Sequence, residues 1–185
     1  MARRATSIEQ YRQAGAWGQA AVVKASAAPV RILGIDPGSR FTGYGLIETR
    51  GEKSTLIAAG RIDAGKAAVA QRLVIIFEGL QAVIAEYQPA EIALEETFVN
   101  RANPQSALVL GQARGVAMLA AALAGMPLAE YAAAAVKLAI AGHGRADKLA
   151  IARMVGLLLK TKQAFEADAA DALAVALCHA HTRRM

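Results

Sequence analysis

The chain has 185 residues and a formal net charge of +6, and 55% of its residues are hydrophobic but only 5% aromatic. This length suits one domain whose core is built from Ala, Val, Leu and Ile. No uninterrupted apolar run approaches the roughly 20 residues needed to span a bilayer, so the composition predicts a soluble protein and excludes a membrane-spanning one.

A leader precedes the predicted domain. Residues 1–29 carry four basic residues against a single acid, are rich in alanine and contain no apolar core of the secretory type. We predict a flexible segment outside the domain, which covers 30–185. An organelle-type transit segment, or an upstream start codon that adds residues without function, remains an alternative.

The domain begins with three predicted strands, which form an antiparallel meander. They cover residues 30–35, 42–49 and 54–63. The first is followed by the turn signal at 36–39, in which Pro presets φ and Gly accepts a positive φ. Gly43 and Gly45 indicate that another backbone approaches the second strand closely.

Helices and two short strands alternate after the meander. The predicted helices cover 68–87, 105–124, 132–140, 146–159 and 166–183, and the predicted strands cover 91–95 and 128–131. A helical crossover makes the strand at 91–95 parallel to a meander strand. In the second helix, Gly111 and Gly115 would let another backbone approach. The order predicts an α/β domain, with a mixed five-stranded sheet and helices on both faces.

Four carboxylates occupy positions that this topology would bring together. Asp36 follows the first strand and Glu95 ends the fourth, and these strands are expected to be neighbours. Asp168 and Asp171 are three residues apart in the last helix, so their side chains share one face. Oxygen-only ligands suit Mg²⁺ or Mn²⁺. Two such ions about 4 Å apart can activate a water and stabilise the leaving oxygen of an in-line phosphoryl displacement.

Each acid also has an ordinary structural interpretation. Asp36 is a common residue in a turn that follows a strand, and Glu95 could be a solvated charge at a strand end. Asp168 and Asp171, early in a helix, would interact favourably with its dipole. The catalytic interpretation therefore depends on all four acids together.

Basic residues dominate a separate segment. From 137 to 162 the chain carries six Lys or Arg residues, with Asp147 as the only acid. An acidic pocket in a basic protein predicts metal-assisted chemistry on a phosphate polymer, although a basic segment is more often a solvated face.

The single cysteine, Cys178, excludes an internal disulfide framework and fits a reducing compartment, so we predict a cytoplasmic protein. Its neighbours His179 and His181 would splay around a helix, which makes a zinc site the less favoured interpretation.

Four blocks of the sequence, in the same order, resemble the RuvC-type Holliday-junction resolvases of the ribonuclease-H-like superfamily. The blocks are Ile32-Leu33-Gly34-Ile35-Asp36-Pro37-Gly38-Ser39-Arg40 with Thr42-Gly43-Tyr44-Gly45, Ala93-Leu94-Glu95-Glu96-Thr97-Phe98, Leu110-Gly111-Gln112-Ala113-Arg114-Gly115-Val116-Ala117, and Ala167-Asp168-Ala169-Ala170-Asp171-Ala172-Leu173-Ala174. The resemblance covers about residues 31–181. It departs from the family pattern at Val109, where a lysine is common, and in the length of the loop at 98–106.

The resemblance implies a ribonuclease-H-like fold and a homodimer that cuts four-way DNA junctions in recombination and repair. Paired symmetric nicks made with Mg²⁺ would leave 5′-phosphate and 3′-hydroxyl ends, and a branch-migration helicase complex would be the partner. The residues that match the catalytic and metal-binding acids are Asp36, Glu95, Asp168 and Asp171. The residues expected to contact DNA are Phe98, Arg101, Lys137 and Lys148.

The DNA-contacting residues have alternatives. Phe98 could stack on an unpaired base, a contact worth roughly 1–3 kcal/mol, or pack against the core. Lys148 could instead form a surface pair with Asp147. Arg114 could contact phosphate or pack within the dimer.

Three other functions remain possible. A related nuclease could process RNA, but the Gly111–Gly115 helix and the spacing of Asp168 and Asp171 favour the resolvase. An actin-like ATP-binding domain would need a second lobe, for which 185 residues leave no room. A non-catalytic junction-binding protein is disfavoured because all four acids are present.

Overall fold

The computed structural model describes residues 28–96 and 104–183. The strands are β1 (Val30–Asp36), β2 (Phe41–Arg50), β3 (Lys53–Asp63), β4 (Glu91–Glu95) and β5 (Leu128–Tyr131). The helices are α1 (Val69–Tyr87), α2 (Pro104–Leu123), α3 (Ala133–Ala141), α4 (Lys148–Leu158) and α5 (Ala167–Thr182). These bounds lie within two residues of the predicted ones.

The five strands form one mixed sheet in the order β3-β2-β1-β4-β5. β1 pairs antiparallel with β2 and parallel with β4, and β4 pairs parallel with β5. The predicted meander, and the predicted contact between the first and fourth strands, are therefore confirmed. Because parallel strands point the same way, the C-terminal ends of β1, β4 and β5 meet at one edge.

Helices cover both faces of the sheet, as predicted. On one face, Leu33, Ile35 and Leu94 pack with buried residues of α1 and α2. On the other, Ile32 and Ala93 pack with buried residues of α3, α4 and α5. Alternation along each strand sends successive side chains to opposite faces, so the central strands contribute to both cores.

The closest contact between layers is made by glycines of β1 and β2 against α5. A Cβ built on Gly34 would collide with the backbone of Ala172 and Ala176, and one built on Gly45 would collide with Leu173. The prediction that the second strand's glycines mark a close backbone approach is confirmed. These glycines let α5 lie almost directly on the sheet. The alanines that face them in α5 are also small, so they permit the same close approach.

The apolar helix α2 differs from the sequence expectation in two respects. It is long and apolar enough to cross a membrane by length and composition alone, with a mean hydropathy of 1.5 over 18 residues, so the expectation that no segment approaches that length was too strong. Only 22% of that window is buried, with Ala113, Ala117 and Ala121 on the buried side. The glycines of α2 have no close neighbour in the described chain: no atom of another element comes within 4 Å of a Cβ built on Gly111 or Gly115. The prediction that another backbone approaches α2 at these glycines is therefore wrong within one chain.

A hydrogen-bond network ties the C-terminal end of α5 to the sheet. His179 Nε2 lies 2.7 Å from Glu91 Oε2, and His179 Nδ1 lies 2.7 Å from Tyr131 Oη. Arg183 donates to Glu91 Oε1 at 2.5 Å. Burial raises the pKa of Glu91, but hydrogen bonds and charges from His179 and Arg183 outweigh burial and bring the pKa below its usual value. His179 therefore has a structural role, as expected, while Cys178 is buried beside it.

The lowered pKa of Glu91 predicts a pH-dependent contribution to stability. Its carboxylate stabilises the fold fully above the ordinary value of 4.5. That contribution is lost as the pH falls through the lower folded-state pKa. We expect Glu91→Gln to lower Tm near neutral pH, and the difference from wild type to shrink as the pH falls to about 3. The control is Glu78→Gln in α1; a Glu91→Gln difference that stays constant with pH contradicts the prediction.

Candidate active site

Asp36 and Glu95 lie side by side at the C-terminal ends of β1 and β4. The parallel register aligns Ile35 with Leu94, so the next pair along the two strands is Asp36 and Glu95. Because Ile35 and Leu94 face α1 and α2, the two acids point to the opposite face, towards α5.

The helix α5 brings Asp168 and Asp171 to the same edge. Gly43 is the cross-strand partner of Asp36, and a Cβ built on Gly43 would collide with the backbone carbonyl of Asp168. The first turn of α5 therefore lies over β2, beside the end of β1. The four predicted acids are thus gathered at one end of the sheet.

A cleft of about 280 Å³ opens at this edge, between the sheet and the helices on its α5 face. Its lining residues are Asp36, Glu95, Ala133, Val136, Lys137, Lys148, Ile151, Asp171 and Ala174. Asp168 is close enough for its charge to act on Asp36, but it does not line this cleft. The site therefore has three acids and two lysines at the cleft wall, with a fourth acid at its border.

Crowding of the acids raises the pKa of both strand-end carboxyls. Burial is the largest cause for Asp36, followed by the charges of Asp171 and Asp168, and together they raise its pKa to about 6. Burial and then the charge of Asp36 raise the pKa of Glu95 to about 7. Their mutual contact lowers the pKa of Asp36 and raises that of Glu95. Such a pair of half-buried acids has the electrostatic character of a cation-binding site.

Lys148 supplies a positive charge to the cleft. Its Nζ lies 2.8 Å from Asp171 Oδ2, and this contact raises the pKa of Lys148. The suggested surface pair with Asp147 is wrong: Asp147 Oδ1 accepts from the backbone N of Ala150 at 2.8 Å and caps α4. Adjacent residues at a helix start point in different directions, which leaves Lys148 free to reach α5.

Arg61, near the end of β3, holds the other acid of α5. It pairs with Glu166 at 2.9 Å, and its second nitrogen lies 3.9 Å from Asp168 Oδ2. Sequence reasoning missed this residue. The signal that could have found it is its position: a base two residues before the end of a meander strand lies at the same sheet edge as Asp36.

The donor set fits a hard divalent cation, but the side chains are directed at protein partners. Within residues 28–96 and 104–183, no three His, Cys, Asp or Glu side chains are arranged to hold one metal ion. Asp171 is instead paired with Lys148 at 2.8 Å, and the nearest guanidinium nitrogen of Arg61 lies 3.9 Å from Asp168. Carboxylate oxygens are the ligands that Mg²⁺ prefers, and rotation of the two α5 acids away from their basic partners would add them to the pair on the strands.

Two of the four predicted DNA-contacting residues lie outside the described part of the chain. These are Phe98 and Arg101. Of the others, Lys137 is half-buried and Lys148 is exposed, and both line the cleft. Arg114 forms an ion pair with Glu130, the residue before the end of β5, so its predicted phosphate contact has a competing partner.

Comparison with known proteins gives consistent matches. A family model described as Crossover junction endodeoxyribonuclease RuvC matches residues 32–179. A protein of that name from Methylocella silvestris is 54% identical over 157 residues, covering 84% of this chain and 89% of its own. The Thermus thermophilus RuvC structure is 35% identical with a TM-score of 0.76, and T. thermophilus RuvC in complex with Holliday junction substrate is 34% identical with a TM-score of 0.78. Each of the two matches covers 84% of this chain and 96% of the chain in the solved structure. The predicted fold class is therefore confirmed.

Proposed function

The chain belongs to the RuvC family of crossover junction endodeoxyribonucleases, and on that premise we propose that its four clustered carboxylates hold the cations with which it cuts four-way DNA junctions. It is an endonuclease of DNA recombination with the ribonuclease-H-like fold. Nucleases of this family are metal-dependent. Mg²⁺, with two ions bound and Mn²⁺ as a possible substitute, is our assignment for this site.

The observation that carries the proposal is the placement of Asp36 beside Glu95 at the edge of the sheet that the first turn of α5 also reaches. A family match alone would leave open whether this chain keeps a working site. Residues 36, 95, 168 and 171 come from three elements that are far apart in the sequence, and the fold brings all of them to one edge. A protein that only binds junctions has no need for half-buried carboxyls whose pKa is raised by desolvation and by the charges of neighbouring acids.

Each side chain has a distinct part in the proposed reaction. A bound divalent cation would generate the attacking hydroxide and stabilise the leaving oxygen. Asp36 and Glu95 would hold the cation rigidly because both stand on central strands. Asp171 and Asp168 would complete its ligands from α5. Lys148 pairs with Asp171, and its ammonium would be available to the phosphate beside the cleavage point if Asp171 turned to the metal.

Incubation of the purified chain with a synthetic mobile four-way junction and Mg²⁺ tests the proposal. Paired nicks at symmetric positions, with 5′-phosphate and 3′-hydroxyl ends, are expected. A linear duplex of the same sequence and a structured RNA serve as competitors. Equal cutting of duplex and junction would reject junction selectivity, and preferred cutting of the RNA would favour the RNA-processing alternative.

Substitution of Lys148 tests its contact with the phosphate. We expect Lys148→Ala to weaken junction binding and to reduce the slope of log Kobs against log[salt] by about 0.7–0.9, the change for one lost phosphate contact. Lys162→Ala removes an equal charge from an exposed position outside the cleft, and its slope should stay closer to wild type. Identical slopes for wild type and Lys148→Ala count against the contact.

A homodimer is part of the proposal because two symmetric cuts require two acidic sites. An apolar groove between α1 and α2 is open to solvent, and it is lined by Leu73, Val74, Phe77, Val116 and Leu119. Val74 and Leu119 are 53% and 50% exposed. A second copy of the chain is the occupant that the chemistry requires, and this groove is the surface we assign to it.

Sedimentation measures the proposed dimer directly. Leu119→Glu should weaken dimerisation at least tenfold, because an unpaired carboxylate in an apolar contact costs more than about 1.4 kcal/mol. Leu157→Glu on α4 is the control, at a position that is 69% exposed. A wild-type chain that remains monomeric at all concentrations, or a Leu119→Glu chain that dimerises normally, would reject this surface.

Three further assignments complete the proposal. We assign residues 30–185 to the nuclease domain and 1–29 to a leader outside it; the family match begins at 32, and cleavage by a chain that lacks 1–29 tests the division. A branch-migration helicase complex is the proposed partner and should accelerate cutting of mobile junctions more than of immobile ones.

The proposed location is the cytoplasm, where the free thiol of Cys178 stays reduced.

A further inference from the structure

We infer that Arg40, Phe41 and Arg61 form a second phosphate-binding surface, which holds the DNA strand on the β3 side of the acids. The inference rests on the proposed DNA-cleaving function, and it concerns side chains outside the cleft. It gives the bound strand a direction, because the cleft lysines and Arg40 would contact phosphates on different sides of the point of cleavage.

The position of this surface follows from the sheet order. Phe41 begins β2 and pairs with Asp63, the last residue of β3. The loop that carries Arg40 follows Asp36. Neighbouring strands are about 4.8 Å apart, so the ends of β2 and β3 lie roughly 5–10 Å from the end of β1. At about 3.4 Å of axial rise per nucleotide, this distance corresponds to two or three nucleotides along one DNA strand.

The two guanidinium groups are held by the aromatic ring of Phe41. Arg40 Cζ lies 4.7 Å from the centre of the Phe41 ring, and Arg61 Cζ lies 4.3 Å from it. Stacking on an aromatic face restricts a guanidinium before any ligand binds, which reduces the entropy lost on contact with phosphate.

The loop that carries Arg40 is itself fixed. Thr42 Oγ1 donates to the carbonyl oxygen of Gly38 at 2.9 Å. Arg72, from α1, donates to the carbonyl oxygen of Ser39 at 2.7 Å. The backbone of the turn is therefore anchored at two points, so Arg40 projects from a rigid support in the loop that follows Asp36.

Arg40 and Arg61 differ in how their charges are balanced. Arg61 is paired with Glu166 and approaches Asp168, so it mainly positions those acids and the Phe41 ring. Arg40 is exposed, and none of the ion pairs within 28–96 and 104–183 includes it. A rigidly held guanidinium with no acidic partner in the described chain is well suited to bidentate contact with a phosphate. The inference therefore assigns the direct contact to Arg40.

Binding of a fluorescent four-way junction in EDTA, measured as a function of salt, tests this assignment. The variants are Arg40→Ala and, as matched control, Arg50→Ala, which removes the same charge from an exposed position at the opposite end of β2. Wild type should lose about threefold more affinity than Arg40→Ala between 50 and 200 mM salt, the difference expected for one phosphate contact. Arg50→Ala should behave as wild type.

Two further comparisons separate a phosphate contact from a general loss of positive charge. Phe41→Leu keeps both guanidinium charges but removes the aromatic support, so it should weaken binding several-fold while its salt dependence stays near wild type. Equal salt dependence of Arg40→Ala and wild type, or equal effects of Arg40→Ala and Arg50→Ala, would overturn the inference. Failure of the chain to prefer junction over duplex would reject the proposed function instead, because the two arginine variants can still be compared on duplex DNA.

Discussion

Asp36→Asn is expected to reduce junction nicking by more than about 100-fold and to leave junction binding nearly unchanged. Substitution of a residue that only orients a metal ligand typically costs about 10–100-fold, so loss of a ligand itself should exceed that range. The amide keeps the size of the carboxylate, and the basic residues that contact DNA are untouched. Single-turnover nicking with excess enzyme and binding in EDTA measure the two effects separately.

The control for Asp36→Asn is Asp63→Asn, which removes a carboxylate from the same edge of the sheet. Asp63 ends β3 and does not line the cleft, so its substitution should change the nicking rate little. Nicking at the wild-type rate by Asp36→Asn would remove the acid from the mechanism. Equal losses in both variants would indicate that any acid at this edge has the same effect, and would contradict a specific metal site.

Gly34→Ala is expected to destabilise the fold strongly, because its added methyl group would meet the backbone of α5. The added Cβ would collide with the carbonyl oxygen of Ala172 and lie 2.7 Å from the backbone N of Ala176. Both are backbone atoms, so no side-chain rotation relieves the contact and α5 must move. Overpacking of this kind costs typically about 1–3 kcal/mol, and a domain of this size should lose about 2–4 °C of Tm for each kcal/mol.

The same substitution should also slow nicking, because α5 carries Asp168 and Asp171. A displacement of about 1 Å at a catalytic group can cost roughly 100-fold in rate. Gly156→Ala in α4 is the control: the nearest atom to its Cβ is 3.5 Å away, and alanine favours a helix by up to about 1 kcal/mol. Normal Tm and rate for Gly34→Ala would show that α5 does not rest on β1 as described.

The positions of strands and helices follow from local patterns. The predicted bounds of β4 agree with the observed ones, because a short apolar run lies between a proline and charged residues. For α4 the predicted start is two residues early. Asp147 is the N-cap, and an aspartate before an apolar helical pattern is a cap signal that places the first helical residue at Lys148.

The pairings between side chains are harder to predict. The sequence suggests Asp147, the neighbour of Lys148, as its partner, but Lys148 binds Asp171, which is 23 residues away. The sequence places Arg61 at the same sheet edge as Asp36, but it does not show that Arg61 reaches Glu166 and Asp168. Both contacts cross from one element to another, and their existence depends on the angle and depth at which α5 lies on the sheet.

Periodicity, turn chemistry and spacing in the chain were enough to specify neighbouring strands and to put one acid at the end of each of two of them. Those features are local: a side chain's face in a strand alternates every residue, and a helix repeats every 3.6. Only the packed molecule established which basic side chains pair with the acids, how the glycines of β1 and β2 bring α5 into contact with the sheet, and that Arg40 stands exposed on Phe41. Such features depend on distances between elements, and distances of a few ångströms are set by the close packing of side chains rather than by any local pattern.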